Sequence, residues 1–134
     1  MDHERGRPDV EYTFARDLKS VRDARHALEP LLSDPGDPIS DDVRLAASEL
    51  VTNVVVHTDD GGAMRAWDPK PDVPLRLEVE DFDFAPPQVP TPPRPIGGHG
   101  LRIVDHVADA WGVTPTSTGK VVWAEFNRPT PDID

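Results

Sequence analysis

Residues 40–58, SDDVRLAASELVTNVVVHT, carry the apolar spacing of an α-helix with one buried face. Counted from Val43, the apolar residues fall at offsets of 0, 3, 4, 7, 8, 11 and 12, which puts them on one side of a helix. Ser40 is predicted to cap this helix, and Asp41 and Asp42 favour its first turn because they face the positive end of the helix dipole. The predicted buried face comprises Val43, Ala46, Ala47, Leu50, Val51, Val54 and Val55.

A polar column borders this apolar face. Glu49, Asn53 and His57 recur every four residues, and each step climbs about 6 Å, so together they can line a groove about 12 Å long. The carbonyl oxygen of an asparagine suits Mg²⁺, which takes its other oxygens from water and substrate phosphates. A glutamate one turn earlier can orient an attacking hydroxyl or water. Ordinary boundary residues, hydrated or bonded to neighbours, have the same spacing, so both interpretations stay open at this point.

The remaining pattern predicts an α/β fold. We expect a two-layer sandwich, in which about three helices cover one face of a mixed, mostly antiparallel sheet. Six prolines between Phe84 and Ile96 exclude regular helix or central strand there and predict a loop. The other predicted elements are an edge strand at 11–15, a helix from Asp17 to the turn SDPGDP, strands in GAMRAW and PLRLEVED, a helix at 101–109, and strands at 110–116 and 121–127.

Length and composition limit the classes of function. A chain of 134 residues fits one domain, predicted at 11–128 between flexible tails at 1–10 and 129–134. The absence of cysteine excludes disulfides and thiolate metal sites. A net charge of -11 argues against direct binding of nucleic acid or anionic membranes. No apolar run is long enough to span a bilayer, so a cytoplasmic location is predicted.

Two further segments carry candidate binding residues. Asp81 ends the strand LEVED, where its carboxylate can accept a hydrogen bond from the amino group of adenine, although a loop aspartate is more often simply hydrated. In IGGHGL, Gly98 and Gly100 let the backbone approach a phosphate just before a helix N-terminus. Neither a Walker loop nor a dinucleotide fingerprint is present.

Taken together, these segments resemble the GHKL ATPase superfamily, and within it the small, single-domain bacterial anti-sigma-factor serine/threonine kinases. The resemblance covers about residues 11–128 and implies a histidine-kinase-like ATPase fold that binds ATP and Mg²⁺. It implies that Glu49 is the catalytic base, Asn53 the magnesium ligand, His57 a phosphate-side contact and Asp81 the adenine-binding residue. The glycine box that closes over the phosphates is matched by residues 97–101, which adds Gly98, His99, Gly100 and Leu101 to the ATP-binding residues.

The resemblance also implies partners. Such a kinase phosphorylates an anti-anti-sigma antagonist protein and alternately sequesters a sigma factor, and because relatives often dimerise, a homodimer is one assembly it allows. The alternative is a non-catalytic module that captures partners and binds nucleotide weakly or not at all. Asp83, which replaces a common glycine, and Val121, which replaces a common hydroxyl residue, favour that alternative. Simple ATP hydrolysis is a third interpretation.

Overall fold

A computed structural model describes residues 5–58, 60–69, 72–82 and 100–129. These residues form three α-helices and five β-strands. The predicted proline-rich loop at 84–96 lies outside the described residues. The elements, in chain order, are β1 (Val10–Phe14), α1 (Lys19–Leu32), α2 (Ser40–His57), β2 (Gly62–Trp67), β3 (Leu75–Asp81), α3 (Gly100–Val107), β4 (Ala110–Pro115) and β5 (Lys120–Phe126).

The strands form one sheet in the order β1-β2-β3-β5-β4. The predicted two-layer α/β fold is confirmed, and every described strand pair is antiparallel. β5 lies inside the sheet beside β3, whereas β4, which follows α3 in the chain, forms an edge. Burial explains this order, because Ala124 and Phe126 of β5 belong to the core while every residue of β4 is exposed or half-buried.

Helix α2 is the central helix of the covering layer. It packs against α1 and α3 and against β3 and β5 of the sheet. All seven residues predicted for its apolar face are buried, as the helical spacing requires. The core that they share with the sheet and α1 also contains Leu28, Leu32, Met64, Leu75, Leu77, Val79 and Phe126.

The start of α2 differs from the prediction. Ser40 does not cap the helix but is its first residue, and the preceding Ile39 makes no side-chain capping bond. The Ser40 hydroxyl instead lies 3.5 Å from the carbonyl oxygen of Leu32, at the end of α1. This carbonyl is one of the last in α1, which have no partner within their own helix. The loop between α1 and α2 therefore places the Ser40 hydroxyl beside the Leu32 carbonyl rather than beside an N–H group of α2.

The limits of α1 and α3 also differ slightly from the prediction. α1 begins at Lys19 rather than at Asp17, since the Asp17 carboxylate accepts the Lys19 backbone N–H at 2.9 Å and so stands before the helix. α3 ends at Val107 rather than at Asp109, because the Asp109 N–H donates to the Glu125 carbonyl of β5 at 2.9 Å. Within the described ranges, each helix is too short or too polar to traverse a lipid bilayer.

An ion cluster joins three loops at one end of the sheet. Arg128, just after β5, lies 2.8 Å from the carboxylates of both Asp37 and Asp68. The two aspartate side chains are 4 % and 0 % exposed. The hydrogen bonds that Arg128 donates to Asp68 and Asp37 raise the pKa of Arg128 well above its usual value, despite the opposing effect of burial. The cluster thereby ties the end of β5 to the α1–α2 loop and to the segment after β2.

We expect Arg128→Met to lower the free energy of unfolding by about 3 kcal/mol or more, because it removes a guanidinium from two buried carboxylates. Urea denaturation measures the change. Arg44→Met is the matched control, since the ion pairs of Arg44 with Glu29 and Asp41 are more exposed and are expected to contribute about 1 kcal/mol or less. Equal losses in the two variants would contradict a structural role for the Arg128 cluster.

Candidate functional site

A cavity of about 200 Å³ lies where α2 and the first turn of α3 meet β3 and β5. Most of its wall is aliphatic, and its polar groups come from α2 and from the paired ends of β3 and β5. The cavity brings together four of the residues predicted from sequence, namely Asn53, His57, Asp81 and Leu101. The other described residues that line it are Leu50, Val54, Thr58, Val79, Lys120 and Val122.

The geometry of α2 decides which of its polar residues reach the cavity. Asn53 and His57 lie one turn apart at the border of the buried face, Asn53 half-buried and His57 exposed. Glu49 is half-buried but is not among the lining residues. At about 100° per residue it is rotated roughly 90° from the centre of the α2 face that lines the cavity. Its carboxylate therefore belongs to the surroundings of the cavity rather than to its wall.

Asp81 and Lys120 form an ion pair in the cavity wall. Asp81 is the last residue of β3, Lys120 is the first of β5, and the two are partners in the strand register. The Lys120 Nζ donates to Asp81 Oδ2 at 2.5 Å, and the side chains are 39 % and 5 % exposed, respectively. A carboxylate buried beside aliphatic walls needs a counter-charge, since desolvating an isolated ion is costly. Lys120 supplies that charge from the more open side of the pair.

Gly119 lets the β4–β5 turn approach Asp81 closely. A Cβ at this position would lie 2.2 Å from the Asp81 carbonyl oxygen and 2.5 Å from its Oδ1. Side chains do not tolerate such contacts, so any other residue would push the turn and Asp81 apart. The glycine therefore allows the turn to pack directly against Asp81.

Hydrogen bonds of Thr58 hold the C-terminal end of α2, which also lines the cavity. The backbone N–H of Thr58 donates to the Val54 carbonyl at 3.1 Å, and its hydroxyl lies 2.7 Å from the carbonyl oxygens of Val54 and Asp60. The Thr58 carbonyl accepts a bond from Arg16 Nε at 2.7 Å. These bonds satisfy the helix end and set the position of the neighbouring His57.

The glycine box is described only in part. Gly98 and His99 lie outside the described residues, and so does Asp83. Gly100 begins α3, and Leu101 beside it lines the cavity. Val121 is not among the lining residues, although its neighbours Lys120 and Val122 are, since side chains alternate along a strand. A hydroxyl at position 121 would therefore face away from this cavity.

Sequence reasoning missed Gly119 and Lys120 as site residues. The signal was weak, because a Gly-Lys pair before an alternating strand is an ordinary turn. Only the register that sets Lys120 opposite Asp81, 39 positions away, brings both residues to the cavity.

The wall chemistry suits an adenine nucleotide. Aliphatic surfaces favour a flat heteroaromatic ring, and the buried Asp81 carboxylate offers an acceptor for an exocyclic amino group. The Asn53 amide on the same wall supplies a neutral hard oxygen for Mg²⁺. Among the described residues no cluster of three or more His, Cys, Asp or Glu side chains could hold a metal by itself. A magnesium ion at Asn53 would thus depend on phosphate oxygens for further ligands.

Gly119→Ala is expected to destabilise the fold by about 1–3 kcal/mol, because the new methyl group would collide with the backbone of Asp81. Thermal and urea denaturation measure the change. Gly36→Ala is the control, since a Cβ there would meet only the Asp34 carboxylate at an ordinary 3.6 Å. A Gly119→Ala protein as stable as the Gly36→Ala protein would show that the turn does not press on Asp81.

Comparison with known proteins agrees with the fold. Residues 14–126 match the histidine kinase-like ATPase domain, and this match spans the sheet from the end of β1 to the end of β5. No curated protein matches the chain. Because the match covers most of the sequence and all three helices, the chain belongs to the histidine kinase-like ATPase domain family.

Proposed function

We propose that this chain binds Mg·ATP in the cavity between α2 and β3/β5 and transfers the terminal phosphoryl group to a serine or threonine of a protein antagonist. In the same proposal the antagonist is an anti-anti-sigma protein, and the chain binds either this protein or a sigma factor. Phosphorylation of the anti-anti-sigma protein switches the chain from one partner to the other. The observation that carries the proposal is the meeting of Asp81 and Asn53 in one aliphatic cavity. Family membership supports the nucleotide.

The proposed base end of the site is the β3–β5 end of the cavity. Asp81 accepts a hydrogen bond from the adenine amino group, and the aliphatic side chains of Val79 and Val122 contact the ring. Because Asp81 is buried and is already held by Lys120, its side chain loses little conformational freedom when the base binds.

The proposed phosphate end follows the border of α2. Asn53 holds Mg²⁺ through its amide oxygen, and His57 contacts the phosphates from the next turn. Bound Mg²⁺ neutralises charge on the phosphate oxygens. The chain has a net charge of -11, so a local cation is needed to offset repulsion of the triphosphate.

Glu49 is proposed to act on a hydroxyl that arrives from outside. It lies one turn before Asn53 and beside the cavity wall, so an acceptor side chain from another protein can approach it without entering the base pocket. As general base it orients the hydroxyl and takes its proton as the phosphoryl group is transferred. This position of Glu49 favours phosphoryl transfer to a protein hydroxyl over hydrolysis of ATP by a water molecule inside the cavity.

ATP binding is tested with Asp81→Asn. We expect about 10-fold weaker binding of ATP, because a charged acceptor for the amino group becomes a neutral one. Isothermal titration measures the affinity, and a thermal shift checks it, since ligand at 100 times Kd adds about 2.7 kcal/mol of stability. Asp41→Asn is the control, because Asp41 is almost fully exposed and lies outside the cavity. If the wild-type protein shows no shift with millimolar Mg·ATP, the nucleotide proposal is wrong.

Phosphoryl transfer is tested with Glu49→Gln. With Mg·ATP and candidate antagonist proteins, we expect the variant to transfer phosphate about 100-fold more slowly while it binds ATP as the wild type does. Labelled ATP and mass spectrometry of the acceptor measure rate and site. Glu11→Gln, on the exposed part of β1, controls for loss of a carboxylate. Transfer at the wild-type rate by Glu49→Gln would remove Glu49 from the mechanism.

A second candidate function is the non-catalytic partner-binding module. The observations that favour it are in the sequence, where Asp83 replaces a common glycine and Val121 replaces a common hydroxyl residue. Such a module would capture its partner and leave every candidate antagonist unphosphorylated. Steady phosphate release by the isolated protein would instead favour simple ATP hydrolysis.

A further inference from the structure

We infer that Lys120 is a base-binding residue, and that its ammonium donates a hydrogen bond to ring nitrogen N1 of adenine while Asp81 accepts one from the neighbouring amino group. The inference rests on the proposed function, because it assigns a second contact to the same base. It adds a residue from β5 to a site whose polar contacts otherwise come from α2 and β3.

The positions of the two side chains carry this inference. Lys120 and Asp81 are register partners on adjacent strands, and both line the cavity. Their bond of 2.5 Å holds the ammonium beside the carboxylate, so that an acceptor and a donor stand next to each other. An ammonium carries three N–H donors, and the bond to Asp81 uses one of them. The 39 % exposure of Lys120 leaves its head within reach of a ligand.

The adenine edge has the matching pattern. Its exocyclic amino group is a donor, and the adjacent ring nitrogen N1 is an acceptor. A carboxylate alone contacts the amino group and leaves N1 without a partner, which is costly when the base is buried. The ammonium beside Asp81 satisfies N1 and keeps the carboxylate neutralised in the bound state. A phosphate contact for Lys120 is disfavoured, because a phosphate there would lie against the Asp81 carboxylate.

The test compares ATP with 1-deaza-ATP, in which a C–H group replaces N1. We expect the wild-type protein to bind ATP about 10-fold more tightly than 1-deaza-ATP, since a hydrogen bond from a charged donor is lost. Lys120→Met should bind the two nucleotides with nearly equal affinity, and Lys120→Arg, which keeps a charged donor, should restore part of the preference. Lys19→Met, an exposed position that does not line the cavity, should keep the full preference.

The outcomes separate this inference from the function on which it rests. Equal binding of both nucleotides by the wild type overturns the role of Lys120 and leaves ATP binding intact. Weakening of both nucleotides by the same factor in Lys120→Met also overturns it, because a structural or phosphate-side role predicts that result. Absence of ATP binding by the wild type overturns the proposed function together with the inference. The wild-type comparison needs no variant, so it can overturn the inference even where Lys120→Met fails to fold, and Lys120→Arg then tests the residue.

Discussion

The burial of one face of α2 against the antiparallel sheet is the interaction on which the rest of the structure depends. Seven apolar residues of the helix are removed from water. Full burial of a side chain such as Val or Leu stabilises a fold by about 1.5–3 kcal/mol. That burial fixes the rotation of the helix about its own axis. The rotation of the helix in turn determines the direction in which the side chains at the border of the buried face point.

The candidate site is a consequence of that rotation. Asn53 and His57 line the cavity, whereas Glu49, which is rotated further round the helix from the buried face, does not. The same packing brings the border of α2 opposite the ends of β3 and β5, where Asp81 and Lys120 meet. A helix edge and a sheet end thus form one candidate site, with the Asn53 amide on the helix and the Asp81–Lys120 pair on the sheet.

Charge is arranged differently at the two ends of the sheet. At the end beyond Phe126, the guanidinium of Arg128 is enclosed by the carboxylates of Asp37 and Asp68 and holds three loops together. At the other end, the Lys120 ammonium is partly open while its aspartate is buried. An enclosed pair of this kind stabilises structure, and a pair with one accessible member remains able to bind a ligand. This contrast favours the Asp81 pair, rather than the Arg128 cluster, as the proposed binding group.

Local sequence patterns were enough to predict the helices, the strands and part of the candidate site. Period-3.6 spacing located the buried face of α2, and alternation located Leu75, Leu77 and Val79 on the core side of β3. The column of polar residues and the carboxylate of Asp81 were visible as candidates for the same reason, since each sits at a fixed offset from an apolar pattern. The prediction that Ser40 caps α2 was wrong because the Ser40 hydroxyl contacts the Leu32 carbonyl of α1. Local sequence does not specify that contact between two helices.

The sequence by itself determined which faces of α2 and the strands are apolar, because that information lies in the spacing of neighbouring residues. Only the tertiary structure decided that β5 pairs with β3, that Lys120 therefore stands opposite Asp81, and that Gly119 must lack a side chain. Strand register between segments 39 residues apart is set by the burial of whole sheet faces and by backbone hydrogen bonding. The local spacing of apolar residues does not encode that pairing, so only the folded structure shows that Lys120 is the partner of Asp81.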